Sequence, residues 1–330
     1  MKNRELFFRT INFDNPEKVL QYPPTYVLWY LGANHQGYDD VDVDNAHDCP
    51  VGSRWKDIWG TTWYKEHPDV MGFPKKGPLE NPKDLSGYRW PDPNDERLIS
   101  KIYEKKAFYN NDDMLLAGSH RDTLWEKSYM LVGMENMMDY FFSEPEYAKE
   151  ILHHIMNFQL GIAKHYIQAG VEMACLGDDL GTQISLLLGP NIFSEFLVSE
   201  YRRLFDFYKK HNVIITFHSC GHIEPLLENF INLGVNILNP VQATANNLER
   251  VIETTQGKMA LHGGISSQLI MEGSYEDIRS KVENTIRLLG KNGGYFCDTD
   301  QVMPYPKDNY DVFLSAIDEY GKCPVPVNHI

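Results

Sequence analysis

The sequence holds no apolar run long enough to cross a membrane, since stretches such as Ile184 to Leu188 fall far short of the roughly 20 residues a span needs. Cysteine is scarce. Cys49, Cys175, Cys220, Cys297 and Cys323 are odd in number and scattered, which excludes a disulfide framework. Basic residues are in deficit: 31 Lys plus Arg stand against 46 Asp plus Glu, for a net charge of −15. A surface that acidic repels polyphosphate, which weighs against a general nucleic-acid binder or a protein of anionic membranes and, more mildly, against a polyanionic substrate. No Gly-x-Gly-x-x-Gly loop follows any apolar run, which removes the main support for a dinucleotide-binding sheet. The stretch Met1 to Phe8 lacks the apolar segment of a signal peptide. The expectation is a cytoplasmic, soluble protein with free thiols.

Apolar residues make up 42% of the 330 and charged residues 23%, which suffices for a large core without staples. The texture changes along the chain. Residues 1–95 are rich in Pro, Gly, Asp, Trp and Tyr, with turn punctuation at Pro23-Pro24, Cys49-Pro50-Val51-Gly52 and Trp90-Pro91-Asp92-Pro93. From about residue 96 to 322 regular patterns take over, and residues 323–330 read as a tail. Helices are predicted near 95–107, 123–142 and 144–169, the last opened by Ser143-Glu144-Pro145-Glu146 and closed by Gly170. After Gly170, apolar runs at Glu172–Leu176, Val213–His218, Val235–Leu238, Met259–His262 and Tyr295–Cys297 alternate with helical patterns near 190–210, 223–233, 246–255, 275–290 and 308–320. Such alternation implies a parallel sheet covered by helices. With candidate strands at Tyr26–Tyr30 and Met114–Gly118, the count approaches eight. The fold expected is α/β, a (β/α)8 TIM barrel with a loop-rich N-terminal elaboration, as one domain over residues 1–330.

Active sites of such barrels lie at the C-terminal ends of the strands. One strand ends in Thr216-Phe217-His218-Ser219-Cys220-Gly221-His222, and residues i and i+2 share a strand face, so His218 and Cys220 point to a common site. Imidazole plus thiolate suits Zn²⁺; the alternative is a core histidine and a buried thiol. The last strand reads Tyr295-Phe296-Cys297-Asp298-Thr299-Asp300, so Cys297 offers a third soft donor, with Asp298 or Asp300 as a further ligand or supporting group. Two Cys and one His make a catalytic zinc set with an open position. A third strand ends in Gly177-Asp178-Asp179-Leu180-Gly181-Thr182-Gln183. Either this is only a turn, or one carboxylate of Asp178 and Asp179 faces the pocket as ligand, proton carrier or hydrogen-bond acceptor. Gln242 and His262 are rim candidates for substrate contact. Trp55, Trp59 and Trp63 recur at four-residue spacing, which fits a packed helix face or an aromatic wall on an apolar pocket. His35, His47 and His120 find no partner in the sequence.

The series Gly177-Asp178-Asp179-Leu180-Gly181-Thr182-Gln183, His218-Ser219-Cys220-Gly221-His222, Asn239-Pro240-Val241-Gln242, Leu261-His262-Gly263-Gly264 and Gly293-Gly294-Tyr295 resembles the uroporphyrinogen decarboxylase superfamily. The match spans about residues 110–322, with weaker echoes in Asp57-Ile58-Trp59-Gly60-Thr61-Thr62-Trp63 and Tyr88-Arg89-Trp90-Pro91-Asp92-Pro93. Within it, a His-x-Cys-Gly motif implies the cobalamin-dependent methyltransferase branch. Resemblance to that branch implies a zinc ion held by His218, Cys220 and Cys297. The family's third ligand often lies a little further on, where this chain has no Cys, so Asp300 is the rival. Decarboxylases of the superfamily carry an Arg-rich segment after the first strand; here Trp29-Tyr30-Leu31-Gly32-Ala33-Asn34-His35 has no Arg, so a tetrapyrrole's carboxylates would be buried unpaired.

The function expected is a zinc-dependent methyltransferase that moves a methyl group between a small substrate (a methoxylated aromatic, a methylamine or a thiol) and cobalamin on a partner corrinoid protein. Asp178 or Asp179 would handle the proton, and Gln183, Gln242, His262, Trp59 and Trp29 would touch substrate. Two alternatives stand beside it: a metal-free decarboxylase, and a non-catalytic relative that only binds. The expected partners are a corrinoid protein, a small methyl donor or acceptor and, as one option, a second copy in a homodimer, with no nucleic acid and no membrane.

Overall fold

The computed structural model describes residues 2–40, 42–80 and 84–322. The expected tail, with Cys323, lies outside the described residues. Among those described, no helix is long and apolar enough to cross a membrane.

Helix α1 (Asn3–Ile11) comes first, then strand β1 (Thr25–Trp29) and a small antiparallel sheet of β2 (Arg54–Lys56), β3 (Thr62–Tyr64) and β4 (Phe73–Lys76). The regular part follows as α2 (Glu96–Phe108), β5 (Leu115–Asp122), α3 (Trp125–Val132), α4 (Met134–Ser143), α5 (Pro145–Ala169) and β6 (Met173–Gly177). A single turn, α6 (Pro190–Ile192), leads through a π-type turn into α7 (Val198–Lys210), and β7 (Ile214–His218) comes next. The chain ends with α8 (Leu227–Leu233), β8 (Ile237–Val241), α9 (Leu248–Thr255), β9 (Ala260–Ile265), α10 (Ser267–Glu272), α11 (Tyr275–Leu289), β10 (Tyr295–Thr299) and α12 (Lys307–Tyr320).

The expected strands all form, and they pair in parallel in the order β1-β5-β6-β7-β8-β9-β10. This is an α/β fold on a seven-stranded parallel sheet rather than the eight expected. On the far side of β10, Leu20 makes one parallel bridge to Phe296, and its carbonyl accepts the Cys297 N–H at 2.9 Å. The period-2 alternation of side chains sorts each strand into two faces. Leu115, Ala117, Met173, Ile237, Ala260 and Phe296 cluster on one face with Phe7 of α1, which closes the N-terminal end of the sheet. Leu116, Ala174, Leu176, Phe217, Leu238, Tyr295 and Cys297 face the helices and join the main core.

The pattern predicted as one helix over 123–142 splits into α3 and α4 at Gly133, whose φ of 87° a side-chain-bearing residue rarely adopts. The tryptophan spacing belongs to no helix. Trp55 and Trp63 face each other across the β2–β3 pair with stacked rings 6.1 Å apart, and Trp59 sits in the connecting turn. A four-residue period fits a helix, but eight residues across a hairpin also bring two side chains together on one face.

Candidate metal centre and pocket

A cavity of about 520 Å³ opens at the C-terminal ends of the strands. Thr25, Ser119, Cys175, Thr216, His218, Asn239 and His262 line it, which are the inward positions of successive strands.

Three side chains converge at its edge. Asp179 follows β6, His218 ends β7 and Cys220 follows it, and one donor atom from each lies within 4.8 Å of the others. His218 Nε2 is 3.4 Å from Cys220 Sγ and 3.6 Å from an Asp179 carboxylate oxygen. Ligands on one tetrahedral zinc ion stand roughly 3.3–3.6 Å apart when the bonds are about 2.0–2.3 Å long. The donor set therefore fits a zinc ion with an open fourth position. The loops after β6 and β7 touch backbone to backbone: a Cβ at Gly221, where φ is 84°, would fall 2.4 Å from Gly181. Asp179 Oδ1 accepts the Cys220 N–H at 2.9 Å, and Gln242 Oε1 accepts the Gly221 N–H at 2.8 Å, so both fix the turn that presents Cys220. Burial, and then the Asp179 carboxylate, pushes the Cys220 thiol up to about 12, so the arrangement lacks the positive charge that would hold a thiolate.

Hydrogen bonding behind the cluster sets the histidine tautomers. Asn239 Oδ1, an acceptor only, lies 3.0 Å from His218 Nδ1, so Nδ1 carries the proton and Nε2 presents its lone pair to the cluster. Asn239 Nδ2 donates to His262 Nδ1 at 2.9 Å, and His262 Nε2 donates to Asp298 at 3.2 Å.

Two of the expected third ligands stand elsewhere. Cys297 is fully buried on the helix-facing side of β10, because Phe296 and Asp298 take the inward positions, and burial pushes its thiol up to about 12. Asp300 accepts from Ser267 N–H at 2.9 Å and Ser267 Oγ at 2.6 Å, which ties its carboxylate to the start of α10. Asp178 is also buried away from the cavity. It accepts from Leu124 N–H and Glu126 N–H, both at 2.8 Å, and from the Tyr201 hydroxyl at 2.5 Å, so it anchors the start of α3. Burial pushes Asp178 up to about 7, against these donors, which favour its ionised form.

Of the expected substrate residues, His262 lines the cavity. Gln242 is buried and holds the Cys220 turn, while exposed Gln183 reaches it at 3.4 Å. Trp59 packs in the core with its ring 4.7 Å from Phe158, and Trp29 lies under the Lys105 ammonium at 3.5 Å; neither lines the cavity.

The sequence reading missed a second polar group in the same cavity: Arg121, Asp122 and Glu126. His47 Nδ1 accepts the Gly72 N–H at 2.8 Å, so His47 Nε2 donates to His35 Nδ1 at 2.6 Å and His35 Nε2 in turn donates to Asp122. Lys127, almost wholly buried, adds its ammonium 3.6 Å from Asp122. Burial pushes Asp122 up, but His35, Lys127 and Arg121 outweigh it and hold the carboxyl well below its usual range. Burial, reinforced by Asp122, Asp178 and Asp179, raises Glu126 well above the usual range. Its carboxyl accepts from the Tyr129 hydroxyl at 3.0 Å and from Asp179 N–H at 3.2 Å. The signal was available: β5 runs to Asp122, past the predicted end at Gly118, and polar residues at strand ends are the ones to read.

Across the whole fold the chain resembles a methyltransferase from Methanosarcina mazei, with a TM-score of 0.70 over 97% of this chain and 99% of that one at 15% identity. A D-psicose 3-epimerase from Clostridium cellulolyticum H10 matches at 11% identity and a TM-score of 0.41 over 67% and 82% of the two chains, too low to bear on fold or function. No curated protein sequence is a match. The uroporphyrinogen decarboxylase (URO-D) family profile matches residues 79–320, nearly three quarters of the sequence, and the chain belongs to that family.

Proposed function

We propose that this protein is a metal-dependent methyltransferase, which moves a methyl group between a small substrate and a corrinoid carried by a partner protein. The observation that carries this reading is the convergence of Asp179, His218 and Cys220 at the edge of an open cavity. Family membership and the fold shared with a methyltransferase support it. Asp179 replaces the expected cysteine as third donor. A zinc ion held by these residues would supply Lewis acidity to the heteroatom that gives or takes the methyl group. The corrinoid would supply the cobalt that carries the methyl group.

The chain's own residues do the rest. His218 is presented with its Nε2 lone pair exposed because Asn239 holds Nδ1. The Gly221 turn and Gln242 keep Cys220 beside it. When a methyl group leaves an ether or amine, the heteroatom keeps the bonding electron pair and takes a proton. Glu126, whose carboxyl burial and its acidic neighbours push well above the usual range, lines the same cavity and is the group we assign to deliver that proton. Asp178, held by three donors outside the cavity, supports α3 and with it Glu126.

A decarboxylase of tetrapyrroles finds less support, because Arg121 is the one arginine or lysine among the described residues that line the cavity. The direct test follows methyl transfer from methoxylated aromatics, methylamines and methyl thiols to cob(I)alamin by absorbance. Wild-type protein is expected to transfer from at least one class, to lose that activity on chelation and regain it with zinc, while His218→Ala stays inactive throughout. Activity unchanged by chelation and by His218→Ala would overturn the reading, and carbon dioxide release from a small acid by metal-free protein would favour a decarboxylase.

A further inference from the structure

Arg121 brings a cation to the cavity whose nearest carboxylate, Asp122, lies at the 4.0 Å limit of an ion pair and is shared with His35 and Lys127. Strands β5 and β6 pair regularly up to Ser119 and Cys175, and the register then shifts, so that Arg121 rather than His120 stands opposite Leu176. The inserted residue makes a β-bulge, which re-aims side chains. His120 turns into the core, where it bonds Gln159 at 2.7 Å and Tyr208 at 2.5 Å, and Arg121 lines the cavity. Arg121 has a φ of 54°, in the left-handed region that residues other than glycine seldom occupy. Strain of this kind persists where the surroundings fix it, and it gathers at functional sites.

The hydrogen-bond partners of the guanidinium are neutral. It donates to the Asn34 side-chain oxygen at 2.9 Å and touches the Met71 sulfur. The Asp122 carboxylate lies 4.0 Å from its Nε, outside hydrogen-bond range, and is engaged by His35 and by Lys127. Two of the five N–H donors of the fork are thus used within the protein. An arginine fork matches a planar carboxylate with two parallel hydrogen bonds.

We propose that Arg121 binds the carboxylate of the substrate, so that the molecule taken up is a small organic acid. The idea deepens the methyl-transfer reading and rests on it for the word substrate. The bulge stands on β5 and the metal donors extend from β6 and β7, so the two ends of the site are set about two strand spacings apart, roughly 10 Å. A short or aromatic acid spans that distance with its carboxylate on Arg121 and its heteroatom at the metal centre.

The test is calorimetric binding of paired probes to the protein as purified: 4-methoxybenzoate against 4-methoxybenzamide, and 3-methoxypropionate against its amide. In wild type at least one acid is expected to bind about 10- to 100-fold more tightly than its amide, the range of a charge-assisted bidentate pair. Arg121→Gln is expected to abolish that preference with metal content unchanged, and Arg121→Lys, which keeps the charge but not the fork, to retain part of it. Arg121→Lys also serves if the Gln variant does not fold. Equal binding of acids and amides by wild type would overturn the proposal, as would a preference that survives Arg121→Gln. A preference lost in His218→Ala but kept in Arg121→Gln would place the carboxylate on the metal and overturn it too. Because binding is read without methyl transfer, this proposal and the methyltransferase reading fail separately.

Discussion

Asp178→Ala is expected to destabilise the protein by about 3–5 kcal/mol, since two buried donors and one part-buried donor lose their acceptor at about 1–3 kcal/mol each and removing a desolvated carboxyl returns part of that. The donors are the Leu124 and Glu126 N–H groups at the start of α3 and the Tyr201 hydroxyl. The urea midpoint of wild type and variant, with unchanged slope, measures the effect. Asp178 also makes stability depend on pH in a defined direction. Its folded value is raised to about 7 by burial, above the 3.8 of a free side chain, so the native state binds the extra proton between those limits. Its contribution is therefore full below about pH 4 and is lost as pH rises through about 7. The decline of wild-type stability across that window should be shallower in Asp178→Ala. A variant as stable as wild type would show that α3 is anchored by other contacts.

Glu126→Gln is expected to lower kcat for methyl transfer by about 10²- to 10⁴-fold, the range for loss of a positioned acid. The amide keeps the shape and its oxygen still accepts from Tyr129, at the loss of the bond from the Asp179 N–H, but it has no acidic proton to deliver. Metal content should not change, because Glu126 gives the cluster no donor atom and bonds it through the Asp179 backbone N–H. Unaltered kcat with metal retained would move the proton to another group. A fall in metal content would make Glu126 part of the metal centre.

The parallel sheet was legible because each of its strands was a short apolar run closed by glycine or a polar cluster, and all seven of them had been anticipated within a few residues. The eighth was counted from a fold type and not from residues; the sheet edge at β10 is met by the single bridge from Leu20, which no periodicity announces. Helix α1 and the small sheet of β2–β4 were hidden by a composition that reads as loop. In the site, the approach of His218 to Cys220 was legible from the motif, although Cys220 lies in the turn after β7 and not on the strand face its i, i+2 spacing assumed. Cys297 faces the helices because Phe296 and Asp298 take the inward positions of β10, which the alternation of side chains along a strand implies. Asp179 and Asp178 could not be separated by sequence, since either register puts one carboxylate inward. Arg121 reaches the cavity only through a bulge, and a bulge leaves no mark in a run of polar residues.

The central claim is that Asp179, His218 and Cys220 hold a metal ion and Cys297 does not. Metal content of the purified protein tests it most directly, in wild type, Asp179→Ala, Cys220→Ala and Cys297→Ala. The account predicts about one zinc per chain in wild type and in Cys297→Ala, with none retained in Cys220→Ala and a marked loss in Asp179→Ala. Zinc kept in Cys220→Ala, or lost in a folded Cys297→Ala, would contradict it.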